Sequence, residues 1–198
     1  MALAVSLDEE ERLLFELALA AEAKDANTER HAERVASTAI RLGTRLGLQE
    51  SDLVALYRGG LIHDIGKLGV PDSILLKPGP LNAEEERLMR AHPVIGESIV
   101  KRLPSAADVL PIIRNHHERF DGGGYPDGLA GHKIPLLARI VSVCDAYDVL
   151  AIDRPYRPRY NSEEATDTLM RGAGQQWDRE LVFLLLSELP EIGLEVPN

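Results

Sequence analysis

His63-Asp64 closes an apolar stretch, Leu56 through Ile62, and is followed at once by Ile65-Gly66-Lys67. An ionised Asp on such a segment is costly to bury unless it is paired or coordinates a metal. The histidine beside it offers a neutral nitrogen ligand, and the carboxylate offers oxygens able to bridge two ions. His116-His117 ends a second apolar stretch that carries Val109, Ile112 and Ile113. Adjacent helical residues lie about 100° apart, so both rings reach one site only if it sits beside that helix end. His31 is in register with Val35, Ala39, Leu42 and Leu46, a core-facing stripe, and His92 precedes Pro93 at a helix junction. Singly, each of these histidines reads as a core or capping residue; together they point to a metal centre.

Acids to complete such a centre sit on the segment from Pro135 to Ile152. Its Leu136, Leu137, Ile140, Val141, Val143, Tyr147, Val149 and Leu150 make it apolar on nearly every side, the pattern of a central buried helix. Asp145 and Asp148, three residues apart, break that pattern on one face. Asp145 is expected at the metal, because the histidines lack a second acid. Asp148 pairs with Arg139 or Arg154, or contacts metal or ligand. Cys144 points in another helical direction and reads as a packing residue, and His132 reads as a surface residue.

The elements that must position these groups are helical. Apolar residues recur at helical spacing almost throughout, so an all-α domain is predicted. Helices are expected near 7–24, 28–46, 50–64, 82–90, 93–102, 106–118, 135–152, 162–171 and 178–188. Several starts carry a cap followed by an acid three residues on: Ser6 with Glu9, Asn82 with Glu85, Ser105 with Asp108, and Asn161 with Glu164. Pro135 suits a first helical turn. Two stretches rich in Gly and Pro, Gly66–Leu81 and Asp121–Gly131, are expected as loops. Residues 1–24 form a separate amphipathic helix, with Leu13, Leu14, Leu17 and Ala21 on one side, that packs on the core or serves as a linker; residues 25–198 form the main domain.

Composition limits what such a site can serve. The 198 residues suit one compact domain, with 44% hydrophobic and 27% charged content. No apolar run approaches the ~18 residues a membrane span needs, and the start of the chain lacks a basic leader, so no membrane insertion is expected. A single cysteine fits a reducing compartment, which points to the cytoplasm. The net charge of −10 argues against binding a nucleic acid polymer through a basic surface. An anionic ligand would need a local positive site, which bound divalent ions supply.

The ordered series His31, His63-Asp64-Ile-Gly-Lys67, His92-Pro-x-x-Gly96, His116-His-Glu-Arg-Phe-Asp-Gly-Gly-Gly-Tyr-Pro126, Gly131-x-x-Ile-Pro135, Ala138-Arg-Ile140, Asp145-Ala-Tyr-Asp148 and Arg154-Pro-Tyr-Arg157 resembles the HD-GYP family. The similarity runs over residues 25 to 189 and takes in Gly174-Gln-Gln-Trp-Asp178. It implies an HD-domain helical bundle with extra C-terminal helices and a GYP loop. It also implies a cyclic di-GMP phosphodiesterase with a centre of two divalent ions, commonly iron or manganese. Carried over by position, His31, His63, Asp64 and Asp145 would hold one ion and His92, His116 and His117 the second, with Asp64 bridging. Some relatives place a glutamate four residues before the first histidine and add a third metal; Asn27 stands there in this chain. Lys67 would neutralise a phosphate oxygen or help protonate the leaving group; without the resemblance it reads equally as a solvated loop lysine. Arg154 and Arg157 suit phosphate or a guanine edge, and Gly124, Tyr125 and Asp148 complete the expected substrate contacts. The product would be linear pGpG, and onward GMP. Alternatives are a catalytically silent cyclic di-GMP-binding or protein-interaction module, and a hydrolase of another cyclic dinucleotide. Signalling proteins such as cyclases are possible partners.

Overall fold

The computed structural model describes residues 9–24, 30–103, 106–151 and 162–188. Ten α-helices occur among them: α1 Glu9–Lys24, α2 His31–Arg45, α3 Glu50–Ile62, α4 Asp72–Leu75, α5 Ala83–Met89, α6 His92–Val100, α7 Leu110–Asn115, α8 Leu136–Ala151, α9 Ser162–Gly172 and α10 Arg179–Glu188. Two 3-10 turns, Ile65–Gly69 and Gly131–Lys133, lie between them. No strand is present among the described residues, as the all-α reading requires. None of the described helices is long and apolar enough to cross a membrane.

Helices α2 and α3 form an antiparallel pair, and glycine sets how close they come. A Cβ on Gly60 would lie 2.7 Å from the Ala36 Cα, and one on Gly59 would lie 2.4 Å from the Ile112 side chain. The bare Gly59-Gly60 step therefore lets α2 approach one side of α3 and α7 the other. Because the pair is antiparallel, the start of α2 meets the end of α3, and the rings of His31 and His63 come within 5.7 Å centroid to centroid. Helix α8 packs against α2, α3, α7, α9 and α10. Its Ile140, Val141 and Val143 are fully buried, each contributing roughly 1.5–3 kcal/mol over an exposed position.

Two apolar cores result. One gathers Val35, Leu42, Leu56, Ile112, Ile140, Leu169 and Leu185; the other gathers Leu14, Phe15, Ile62, Ile65, Val100 and Ile113. Helices α3 and α7 contribute to both, and the ends of these two helices carry the His63 and His116 positions. The histidines thus lie at the seam of the cores.

The 3-10 turn after α3 touches α6 backbone to backbone. A Cβ on Gly66 would lie 1.8 Å from the His92 carbonyl oxygen and 2.6 Å from the Gly96 nitrogen. That contact brings the first turn of α6 against the turn that follows Asp64.

Several expectations are revised. The helix expected over 106–118 is confined to α7, because Pro111 fits only a first helical turn. The loop expected over Gly66–Leu81 holds both a 3-10 turn and α4. Among the described side chains of α1, Leu14, Phe15 and Ala18 are buried while Leu13 and Leu17 are exposed, so the packed stripe is rotated from the one expected; the Ala21 side chain lies outside the described residues. Leu46 is likewise exposed, being the C-cap of α2 rather than part of its core stripe. The capping box of Asn82 with Glu85 is formed in both directions. Ser6, Asn27, Ser105, Arg154, Arg157 and Asn161 lie outside the described residues. Gly66→Ala is expected to cost about 3 kcal/mol in urea unfolding, since the added methyl meets backbone that cannot yield as a side chain does.

Candidate metal centre

A helix leaves its last carbonyls without partners, and three histidines occupy such ends. The Nδ1–H of His63 donates to the Gly60 carbonyl at 2.8 Å, that of His116 to the Ile113 carbonyl at 2.9 Å, and that of His92 to the Met89 carbonyl at 2.9 Å. A carbonyl only accepts, so each Nδ1 carries a proton, and the neutral form of each ring has its lone pair on Nε2. His31 follows the same logic with a carboxylate, its Nδ1–H donating to Asp148 Oδ2 at 2.6 Å. Four Nε2 atoms are thereby turned into one buried space.

Within that space two groups form, each with ligand atoms within 4.8 Å of one another: His31, His63 and Asp145, and Asp64, His92, His116 and His117. Asp64 faces both. Its Oδ1 lies 3.1 Å from His92 Nε2 and 3.8 Å from His116 Nε2, while its Oδ2 lies 3.4 Å from His63 Nε2 and 2.7 Å from Lys67 Nζ. Asp145 Oδ1 lies 3.3 Å from His31 Nε2. The motif series groups Asp64 with His31, His63 and Asp145 and lets it bridge; here its carboxylate lies within the second group, with Oδ2 turned toward His63 of the first.

The donor set fits divalent cations. His63 Nε2 and Asp64 Oδ1 are buried and take part in no hydrogen bond, and the Nε2 atoms of His92 and His116 face each other at 3.4 Å. Lone pairs held together in this way need a cation between them. The electrostatics keep four of the ligands in their binding forms. Burial lowers the pKa of His63 to about 4 and holds His117 well below its ordinary value, so both rings stay neutral. Burial alone would raise the pKa of Asp64, but Lys67, His63, His116 and His92 outweigh it and hold the carboxylate well below the usual range. Asp145 is likewise held low, with His31 overcoming the cost of burial. For Cys144, burial pushes the thiol far upward and keeps it protonated in the core.

Other residues named from the sequence take definite places. Asp148 spends both oxygens inside the protein: Oδ2 on His31, Oδ1 on Arg34 Nε at 2.6 Å, and Oδ2 again on Arg34 Nη2 at 3.0 Å. Among the described residues its cation is Arg34; Arg139 pairs with Asp178 instead, and Arg154 lies outside the described residues. Tyr125 stacks on His117 at 5.0 Å between centroids, with the Arg90 guanidinium over its ring at 5.1 Å. Gly124 lies against backbone, where a Cβ would sit 2.2 Å from the Arg119 nitrogen. His132 is exposed, beside Phe120 and Arg139.

Two contributors escaped the sequence reading. Buried Glu118 accepts the Asp127 N–H at 2.6 Å and the Leu129 N–H at 3.1 Å, closing the glycine-rich loop back over the histidine pair. The available signal was an acid placed directly before a loop rich in unpaired N–H groups. Arg34 lies three residues from His31 along one helix face, a spacing that by itself does not single it out as the partner of Asp148.

A family model described as HD domain matches residues 16–181. The chain belongs to the HD-domain family. This HD domain is 38% identical over 183 residues to the cyclic di-GMP phosphodiesterase response regulator RpfG of Xanthomonas campestris, covering 90% of this chain and 48% of that protein. It is also 38% identical over 183 residues to the 3'3'-cGAMP-specific phosphodiesterase 2 of Vibrio cholerae, covering 90% of this chain and 35% of that protein. Among solved structures, the cyclic GMP-AMP specific phosphodiesterase V-cGAP3 of V. cholerae matches with a TM-score of 0.71 at 20% identity, over 92% of this chain and 49% of that one, a likeness of fold. The HD domain thus spans about half or less of these relatives. Its motif series, from His63-Asp64 to Gly124-Tyr125-Pro126, is that of the HD-GYP group.

His31 gives this centre a measurable pH signature. Burial disfavours the charged ring, but Asp145 and Asp148 outweigh it and push the pKa up to about 10 from an ordinary 6.5. A folded-state pKa above the unfolded one adds stability that is complete below the unfolded pKa and is lost as pH rises through the folded one. Urea unfolding of chelator-treated protein is expected to lose on the order of 3 kcal/mol between pH 6.5 and 10. In His31→Gln most of that slope should vanish; an unchanged slope would assign the proton elsewhere.

Proposed function

We propose that the chain is a metal-dependent phosphodiesterase that opens cyclic di-GMP to linear pGpG, and onward to GMP, in bacterial second-messenger signalling. The observation that carries this reading is the pair of His/Asp groups that meet at Asp64, with buried lone pairs facing one space. The name of the Xanthomonas relative supports the substrate.

In this reading His31, His63, Asp64 and Asp145 hold one divalent ion, and His92, His116 and His117 hold a second to which Asp64 also contributes. Iron or manganese suits this mixture of imidazole and carboxylate. Bound ions would supply the positive charge that draws a phosphodiester and bring the pKa of water into the neutral range. Lys67 keeps Asp64 ionised and stands ready to neutralise a phosphate oxygen or protonate the leaving oxygen. Asp148 acts through His31, holding its tautomer and orientation. Tyr125 covers His117 on the substrate side, and Gly124 lets its loop lie flat on Glu118-Arg119. Arg154 and Arg157 are assigned to the second phosphate. The single, protonated cysteine fits a cytoplasmic location, and cyclases are candidate protein partners.

A second reading, hydrolysis of 3'3'-cGAMP, is favoured by the equal identity to the V. cholerae relative. Anaerobically purified protein loaded with Fe(II) or Mn(II) is to be incubated with each dinucleotide and the products separated by chromatography. Conversion of cyclic di-GMP to pGpG is expected in the parent, with a loss of more than 100-fold in His63→Ala and Asp64→Ala. Turnover of 3'3'-cGAMP alone would select the second reading, and turnover of neither by protein holding two ions would overturn both. Asp148→Asn should weaken metal binding by roughly 10- to 100-fold while far-UV circular dichroism stays that of the parent.

A further inference from the structure

A cavity of about 310 Å³ opens beside the His/Asp groups, with Asp145 and His117 in its lining. One wall is a face of α8. Ser142, Asp145, Ala146 and Val149 fall within about 100° of one another around a 3.6-residue helix, and all four line the cavity. Neighbours on such a face are roughly 5–6 Å apart, so whatever is joined to a group held at Asp145 lies next along Ala146 and Val149. The facing wall is Gln176-Trp177. It is fixed in place: the Trp177 ring fills the room a Cβ on Gly172 would need, 2.3 Å away, and Phe120 and Asp121 donate their N–H groups to the carbonyls of Gln176 and Gln175 at 3.1 and 2.8 Å.

The lining has the chemistry of a base slot. Ala146, Val149 and Trp177 give apolar surface, and the small side chains of Ser142 and Ala146 keep the space open. Gln176 is exposed at the wall, and neither its amide nor the Ser142 hydroxyl makes a side-chain hydrogen bond among the described residues. An amide offers a donor and an acceptor side by side, the pattern a purine edge presents. The volume sits at the lower end of the roughly 300–1,000 Å³ range of small-molecule sites, room for one base with part of its ribose and not for a whole dinucleotide.

We infer that this cavity seats one purine base of the substrate, with Gln176 reading the edge of the base; the inference rests on the phosphodiesterase reading and adds base recognition to it. A phosphate drawn to ions that Asp145 and His117 would help hold carries its nucleoside along α8, and the second base lies outside this slot.

Trp177 is the only tryptophan in the chain and therefore reports occupancy of the cavity without any turnover. GMP added to the metal-loaded protein is expected to quench its fluorescence saturably, and inorganic phosphate is expected to leave it unchanged. Ala146→Leu, which fills the slot, should weaken GMP binding at least tenfold. It should also lower kcat/KM for cyclic di-GMP at least tenfold relative to bis(p-nitrophenyl) phosphate, a diester with no base. Gln176→Ala, at an exposed position that tolerates truncation, should bring the ratio of GMP to AMP affinity closer to one. Absence of quenching by GMP, or parental affinities and ratios in both variants, would overturn the inference. Quenching by GMP in a parent that hydrolyses neither diester would support the base site and count against the phosphodiesterase reading alone.

Discussion

The site depends on a hydrogen bond that is easily overlooked because it is local. His63, His92 and His116 each return the Nδ1 proton to a carbonyl three residues earlier, where a helix has run out of partners. One bond does two things: it satisfies a carbonyl that would otherwise be buried unpaired, and it commits the lone pair of the ring to the opposite nitrogen. For three such rings to share a space, α3, α5 and α7 must all end at it. The short length of α7 and the sharp junction between α5 and α6 follow from that demand, with Pro111 and Pro93 standing at the starts of the helices concerned.

Charge then works on what the backbone has arranged. Burial acts against every ionised group in the centre, yet Asp64 and Asp145 remain carboxylates because Lys67 and His31 stand beside them. Arg34 and Asp148 form an outer layer that reaches the centre through the His31 ring. On the other side Glu118 anchors the glycine-rich loop, which sets Tyr125 flat on His117. The two sides differ in kind, one tuned by ion pairs and the other by a loop held at its backbone.

Much of this was legible in the order of residues. The His and Asp positions stood out because polar groups at the ends of apolar helices have few uses, and the helical periods of α2 and α8 placed them on inward faces. The partner of Asp148 was not legible, because several arginines at compatible helical spacings compete and only the crossing of α2 with α8 selects Arg34. The extent of α7 is overestimated from the sequence because apolar spacing continues through Val109 even though Pro111 belongs in a first helical turn and sets the start of the helix. Glu118 was passed over since an acid next to a loop is ordinarily solvated; its burial arises when the loop folds back, a tertiary event. The roles of Gly59, Gly60 and Gly66 depend on which chain segment lies opposite, which no local pattern encodes.

The contact at Gly66 carries a consequence for how such a centre can diversify. Asp64 and His92 belong to segments whose main chains touch at Gly66 and Gly96, so the span between these two ligands is a dimension of the main chain. Side-chain exchange can alter the chemical softness of the donors, the charge around them or the reach of the surrounding loops, but it cannot lengthen that span. Descendants of this fold are therefore free to change which ion or which substrate they prefer by swapping donors and linings, while the gauge between Asp64 and His92 is inherited unchanged.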